Sequence, residues 1–353
     1  MTAPLVISID AMGGDHGPAV IIPGLAEAAA DWSAGQVRFL LHGDEAVLNQ
    51  ALGHVADLAA ISDVRGSNGV VSMDTKPAHA MRRGKGTSMW NALESLRSGE
   101  ANACVSAGNT GALMAVSRLL LRTAGGLDRP ALVANWPTMR GVSTVLDAGA
   151  NIVCDDQRLV QFAVMGAAYH RALYKTPRPT VGVLNVGAEA EKGNEAVRGA
   201  DRLLRMADLP LEYRGFVEGD DIAKGAVDVV VTDGFTGNVA VKTGEGLGRF
   251  FMSELRNTFT QSTRAKIGAW IARPALRAMR ARLDPGALNG GLFLGLNGIV
   301  VKSHGSADSR GFANAVRLTV RLSRSSIVGE MREGLEAASR LAHAPMDALA
   351  TPR

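Results

Sequence analysis

Apolar runs of strand length alternate with amphipathic stretches of helix length along the chain. Leu5–Ile9, Val37–His42, Thr180–Val186, Glu212–Val217, Val227–Thr232 and Gly298–Lys302 read as strands, and an apolar run from Ala101 ends at Ser106. Near-continuous runs such as Val227-Asp-Val-Val-Val belong to strands buried on both faces. Helices are predicted over Ala19–Ala30, from Asp44 or Glu45, over Thr87–Leu96, Ala112–Leu121, Asp156–Leu173 and Glu195–Ala207, from Val239 onward, and beyond Ser306. Residues 64–73 read as irregular. Ala131–Asn135 and Val142–Leu146, flanking Trp136–Gly141, read as an antiparallel hairpin, an arm or a sheet edge. The alternation predicts an α/β fold with a Rossmann-like, mixed but largely parallel sheet, right-handed crossovers and flanking helices. Residues 1–353 form one such unit, or two lobes meeting near 174–180, where Pro177-Arg-Pro179 punctuates the pattern.

The turns after the strands carry the polar chemistry, and in such folds ligands bind beyond the carboxyl ends of strands. Ser106-Ala-Gly-Asn-Thr-Gly111 joins a strand to a helix, leaving backbone N–H groups free at the helix start, where the dipole favours an anion. Asn109 and Thr110 are placed to cap or donate, and Gly108 and Gly111 allow close approach of a ligand. A second anion-site candidate is Arg82-Arg-Gly-Lys-Gly-Thr-Ser88, with Thr87 and Ser88 at a helix start. Further small-residue turns are Asp10–Pro18, Asp147–Asn151, Gly187–Asn194 and Asp233–Asn238. None has the spacing of a Walker A loop or a dinucleotide fingerprint, and no zinc-ligand spacing or nucleophile elbow appears.

Composition changes this picture little. Hydrophobic residues make up 46% and charged residues 20%, ordinary values for a soluble globular chain. Cys104 and Cys154 lie in apolar runs and read as buried thiols rather than a disulfide. With no basic lead, no long apolar segment and no disulfide framework, the expectation is a cytoplasmic protein. Charge is more informative. Between Leu255 and Leu283 stand Arg256, Arg264, Lys266, Arg273, Arg277, Arg280 and Arg282 with no acidic residue, and the rest of the chain is net acidic. Ile267, Trp270, Ile271, Met279 and Leu283 recur there at three- and four-residue steps, with Pro274 set to kink or split the helix. A protruding basic amphipathic segment over 255–285 is predicted, either packed with a solvated face or docking on something anionic. On the docking reading its contacts are Lys266, Ile267, Trp270, Ile271, Arg273 and Arg277.

Taken in order, Asp10-Ala-Met-Gly-Gly-Asp15, Ser106–Ala112, Leu146-Asp-Ala-Gly-Ala-Asn151, Lys192-Gly-Asn194, Asp233-Gly-Phe-Thr-Gly-Asn238 and His304-Gly305 resemble the acyl-carrier-protein:phosphate acyltransferases of bacterial phospholipid synthesis. Ala188 stands where that family often has a hydroxyl residue. The resemblance implies transfer of a fatty acyl group from acyl carrier protein to inorganic phosphate, giving an acyl phosphate. It also implies an architecture like the isocitrate and isopropylmalate dehydrogenases and the phosphotransacetylases, a homodimer, and peripheral membrane association. No cofactor, no metal and no nucleic-acid partner is called for.

Phosphate is a competent oxygen nucleophile and a thiolate a tolerable leaving group. The enzyme's task is therefore to hold a dianion against a thioester carbonyl and stabilise the oxyanion. On this reading Thr87, Ser88, Ser106, Gly108, Asn109, Thr110 and Gly111 bind phosphate, with Lys192 neutralising its charge. Asp233 and Asn238 serve the acyl carbonyl, and His304 protonates the leaving thiolate or donates to the oxyanion. The plainer alternatives are a surface lysine at a helix start for Lys192, where its charge is poorly placed relative to the dipole, and a satisfied strand-end histidine for His304. The competing functions are a short-chain acyl-coenzyme A phosphotransferase or decarboxylating dehydrogenase of the same fold, and a non-catalytic membrane scaffold for the carrier protein. A dehydrogenase would want a carboxylate cluster and a nucleotide loop, and a scaffold would leave the anion-binding turns idle.

Overall fold

The computed structural model describes residues 3–33, 35–283 and 289–342, with the backbone alone at 280–283 and 341–342. Eleven strands form one sheet: β1 Leu5–Asp10, β2 Val37–Gly43, β3 Ser62–Gly66, β4 Ala103–Ser106, β5 Ala131–Thr138, β6 Gly141–Leu146, β7 Thr180–Leu184, β8 Glu212–Val217, β9 Val229–Val231, β10 Gly291–Leu294 and β11 Ile299–Lys302. Their order is β3-β2-β1-β4-β11-β10-β5-β6-β9-β7-β8. β1 to β4 and β11 run parallel to one another, as do β6 to β9, but the two groups run in opposite directions. β10 is antiparallel to both β11 and β5, which leaves those two parallel, and the β5–β6 hairpin then makes the reversal. That hairpin pairs as the sequence predicts, yet it lies in the middle of the sheet rather than at an edge or on an arm.

Helices cover both faces. Pro18–Ala29 packs on Ser309–Ser323, and the close approach depends on Gly24, where a Cβ would sit 2.6 Å from the Ser309 carbonyl oxygen. Asp156–Tyr174 is the most deeply buried helix, its residues from Leu159 to His170 lying against β6, β7 and β9. A large cluster built on Ile7, Ile9, Phe39, Leu41, Phe162, Val181, Val229 and Phe312 runs through both halves, so one core ties the sheet together. Two strands escape the sequence pattern. β3 is a half-polar edge strand, and β10 sits in the glycine-rich run Gly290-Gly-Leu-Phe-Leu-Gly295. The Asp233–Asn238 segment, expected as a loop, is the cap and first turn of a helix spanning Gly234–Thr260.

Candidate functional site

Four neighbouring strands end in a polar row. His42, Asp10, Ser106 and Lys302 are register partners across β2, β1, β4 and β11, and all four are buried. Ser106 Oγ donates to Asp10 Oδ2 at 2.6 Å and accepts from the Gly108 N–H at 3.0 Å, so the hydroxyl fixes the start of the turn. Lys302 Nζ donates to the Ala107 carbonyl at 3.2 Å and to the Ser303 carbonyl, clamping the turns after β4 and β11. Among the described residues it is the only lysine or arginine that is buried. Burial pushes its pKa down to about 8 against the opposing pull of Asp10 and Asp15. Burial likewise raises the Asp10 carboxyl, despite its hydrogen bond from Ser106. Asp10 Oδ1 and the Ser88 hydroxyl lie buried with no hydrogen-bond partner, Ser88 near enough to Asp10 to act on its pKa.

Above this row the helix Thr110–Leu121 begins. Asn109 caps it, its Oδ1 accepting from the Ala112 N–H at 2.9 Å. Its amide donates to the carbonyls of Met73 at 2.5 Å and Thr75 at 3.2 Å, which ties down the 73–75 loop. The side chain is thus occupied, but the N–H groups of Asn109, Thr110 and Gly111 meet no acceptor among the described residues. Gly13 must be glycine for the turns to interlock, since a Cβ there would lie 2.6 Å from Asp10 Oδ2 and 2.8 Å from the Gly108 nitrogen. Exposed His304 has its Nδ1 3.1 Å from Ser306 Oγ, and with His16, Gly13, Ala107 and Gly305 it lines a narrow cleft beside the turn. Thr87 is a helix cap, donating to the Gly84 carbonyl at 2.6 Å and accepting from the Trp90 N–H at 3.4 Å. Its neighbour Ser88 turns inward beneath Asp10 rather than towards the cleft.

The remaining candidates form a second group, on turns after β6, β7 and β9. Asp233 caps the helix Gly234–Thr260, accepting from the N–H and hydroxyl of Thr236 at 2.8 and 3.1 Å. Asn238 donates to the Ala148 carbonyl at 3.1 Å. Beneath them the buried Asp147 collects five donors: the N–H groups of Leu132, Gly149, Ala150 and Asn151 and the Asn151 amide. Lys192 is exposed and paired with Glu189 at 2.8 Å in its own loop. These turns follow strands whose direction is opposite to that of β4. Among the described residues no hydrogen bond or ion pair joins the groups. Lys302 escaped the sequence reading of the site; the available signal was a lysine closing a buried apolar strand two residues before His304.

The basic segment is two helices, Thr263–Ile271 and Arg273–Leu283, broken at Ala272, with Pro274 in the first turn of the second. Proline is tolerated there because those N–H groups lack partners anyway. Ile267, Trp270 and Ile271 are 55%, 73% and 68% exposed, and Lys266, Arg273 and Arg277 are exposed with them. The side chains of Arg280, Arg282 and Leu283, and residues 284–288, lie outside the described residues. The preceding helix buries only Gly234 and Gly237, leaving Leu247, Phe250 and Phe251 exposed. Among the described residues no helix is long and apolar enough to cross a membrane.

Interlocked glycine turns over a polar strand-end row, with N–H groups left without acceptors, define an α/β protein with a polar site at its strand ends. The chain belongs to the fatty acid synthesis protein family, whose sequence model matches residues 5–329. It is 58% identical over 336 residues to a phosphate acyltransferase of Caulobacter vibrioides, covering 95% of this chain and 93% of that one. It is also 54% identical over 354 residues to a phosphate acyltransferase of Phenylobacterium zucineum, covering 99% and 100%. Similar solved structures are a phosphotransacetylase from Streptococcus pyogenes and the EutD phosphotransacetylase from Staphylococcus aureus, with TM-scores of 0.59 and 0.58. Each is 15% identical and covers 91% of this chain and 94% of its own, so the likeness is one of fold alone. The expected isocitrate and isopropylmalate dehydrogenase-like architecture is therefore corrected to a phosphotransacetylase-type one. Alternating strand and helix patterns determine the α/β class, whereas strand order depends on where a short strand such as β10 inserts, which periodicity does not report.

Proposed function

We propose that this enzyme, which by family moves acyl groups to or from phosphate in phospholipid synthesis, takes a fatty acyl group from acyl carrier protein and gives it to inorganic phosphate. The observation that carries the reading is the row of unpartnered N–H groups at Asn109, Thr110 and Gly111, opening a helix beside a narrow cleft. Such a row suits a phosphate oxygen. The bound phosphate attacks the thioester carbonyl, a C–O bond forms and the C–S bond breaks. The thiolate leaves with a proton from His304 at the cleft rim. Lys192, Asp233 and Asn238 are assigned to the carrier-protein and acyl side. The clean variant is Thr110→Pro, which removes one donor at the first helical position. Proline is accepted there, and Asn109 already has the extended ψ of 120° that a following proline requires. Thr110→Pro should raise the half-saturating phosphate concentration about 5- to 10-fold in an assay of phosphate-dependent thiol release from acyl carrier protein. An unchanged phosphate requirement removes the turn from the site.

The same reading assigns the exposed Trp270–Ile271 tip to an anionic membrane surface, with Lys266, Ile267, Arg273 and Arg277 contributing charge and apolar contact. The neighbouring arginines are left for the acidic carrier protein. A homodimer that covers the apolar residues of the helix Gly234–Thr260 belongs to the same proposal.

A further inference from the structure

We infer that Lys302 is the buried cation of the phosphate site, clamping the start of the Ser106–Gly111 turn, and that Asp10 fixes the same turn through Ser106. This rests on the reading that the turn binds phosphate. A lysine at the end of a buried strand needs a reason, because isolated burial of an ammonium is expensive and long side chains ordinarily reach for water. Here the amine is held inside, 8% exposed, on the carbonyls of Ala107 and Ser303. Those two hydrogen bonds hold the starts of the turns after β4 and β11. The N–H groups next in line are also tied down, Gly108 on Ser106 Oγ and His304 on Asn289 Oδ1, so the first free donor after the clamp is that of Asn109. The charge lies buried on the Ala107 carbonyl, two residues before the first free donor, where water screens it little.

Asp10 makes the arrangement tolerable without neutralising it. No ion pair forms between Asp10 and Lys302, and Asp10 keeps one oxygen unpartnered while the other orients the Ser106 hydroxyl towards the Gly108 N–H. The positive charge is therefore only partly compensated until an anion arrives. Lys192 is a poor candidate for this task, being exposed and already paired with Glu189. Lys302 and Asp10 are positioning residues in this account; the phosphate meets the N–H groups above them.

Structural clamping alone would not make phosphate affinity follow the charge state of Lys302, and that separates the two roles. The groups facing the amine are Asp10 from β1 and Asp15 from the loop after it, with Cys104 of β4 behind Asp10 and His16 and His304 at the cleft rim. A titration from about pH 7.5 to about pH 10 spans the range in which Lys302 loses its charge. Expressed as concentration of the dianion, the half-saturating phosphate should rise about tenfold or more in the unmodified enzyme as pH passes through about 8. Lys302→Met should start about 10- to 100-fold higher at pH 7.5 and show no such rise. The double variant Lys302→Met with Asp10→Asn keeps the interior neutral if the single variant does not fold, and should behave likewise. A flat pH profile in the unmodified enzyme overturns the inference, as does a folded Lys302→Met with the normal phosphate requirement. In either case a raised requirement in Thr110→Pro would keep the turn as the phosphate site and leave Lys302 as a strut. If Thr110→Pro is also silent, the site reading fails and this inference falls with it.

Discussion

Asp10 and Asp147 both follow an apolar strand, both open a small-residue turn, and both are buried, with burial raising each carboxyl above its usual range. They differ in what is left over. Asp147 is saturated by five donors, four of them backbone N–H groups of its own turn and of β5, so it is the internal scaffold of that loop. Asp10 receives one good hydrogen bond, keeps an oxygen unpartnered, and has a buried lysine nearby. A buried carboxylate is therefore not itself a sign of chemistry; the unsatisfied remainder is.

Four measurements test how far that contrast extends. The largest effect should come from Asp147→Ala, which strands several buried N–H groups at once. Urea denaturation should show a loss of about 3–5 kcal/mol, and a loss below about 1 kcal/mol would mean the loop is not organised by its carboxylate. Asp10→Asn should act mainly on the reaction, lowering kcat/KM for phosphate about tenfold or more while costing less stability than Asp147→Ala. Comparable damage to stability from both variants would erase the distinction.

A third test uses His42, the register partner of Asp10 on β2, whose Nε2 lies 3.3 Å from Ser95 Oγ. Burial, helped by Arg65 and opposed by Glu100, pushes its pKa down from 6.5 to about 4. The folded protein thus keeps His42 neutral while the unfolded chain takes up a proton first. Stability is lost as pH falls from about 6.5 to about 4, on the order of 3 kcal/mol at the lower end. In His42→Gln that part of the acid loss should vanish from melts recorded between pH 7 and 4, and an identical acid profile would mean His42 is not charge-sensitive. The smallest effect belongs to the exposed tip. Trp270→Glu with Ile271→Glu should change stability by no more than about 0.5 kcal/mol and leave thiol release from soluble carrier protein intact, yet abolish flotation with anionic liposomes. Surviving flotation would remove the tip from the membrane.

Periodicity located most strands because a strand buried on both faces is a plain run of Val, Ile and Leu, as in β1 and β9. It located the Ser106 turn because glycine and a capping Asn at a strand–helix junction have few other uses. It missed β3, whose Ser62-Asp-Val-Arg-Gly66 is an edge strand with little apolar pattern, and β10, whose glycines read as a loop. Lys302 was invisible for a different reason. Its burial is a property of β11 sitting between β4 and β10, a non-local arrangement that no window of sequence contains. That Lys192 and Asp233 follow strands running against β4 is likewise non-local, since β10 leaves β11 and β5 parallel and the β5–β6 hairpin, paired in mid-sheet, reverses the second half.

β4 finds one of its two neighbours only after nearly two hundred further residues, when Lys302 comes into register with Ser106. During synthesis the first four strands therefore leave the ribosome with a bare hydrogen-bonding edge at β4. At about 5–20 residues per second, that edge waits on the order of 10–40 s for β11. Throughout that interval the Ser106 turn lacks the lysine that clamps it, and the nascent sheet is open to pairing with any other extended chain. The last third of the polypeptide thus closes the sheet and completes its polar row in one step, so a chain released early would carry an unclamped turn and an unprotected strand together.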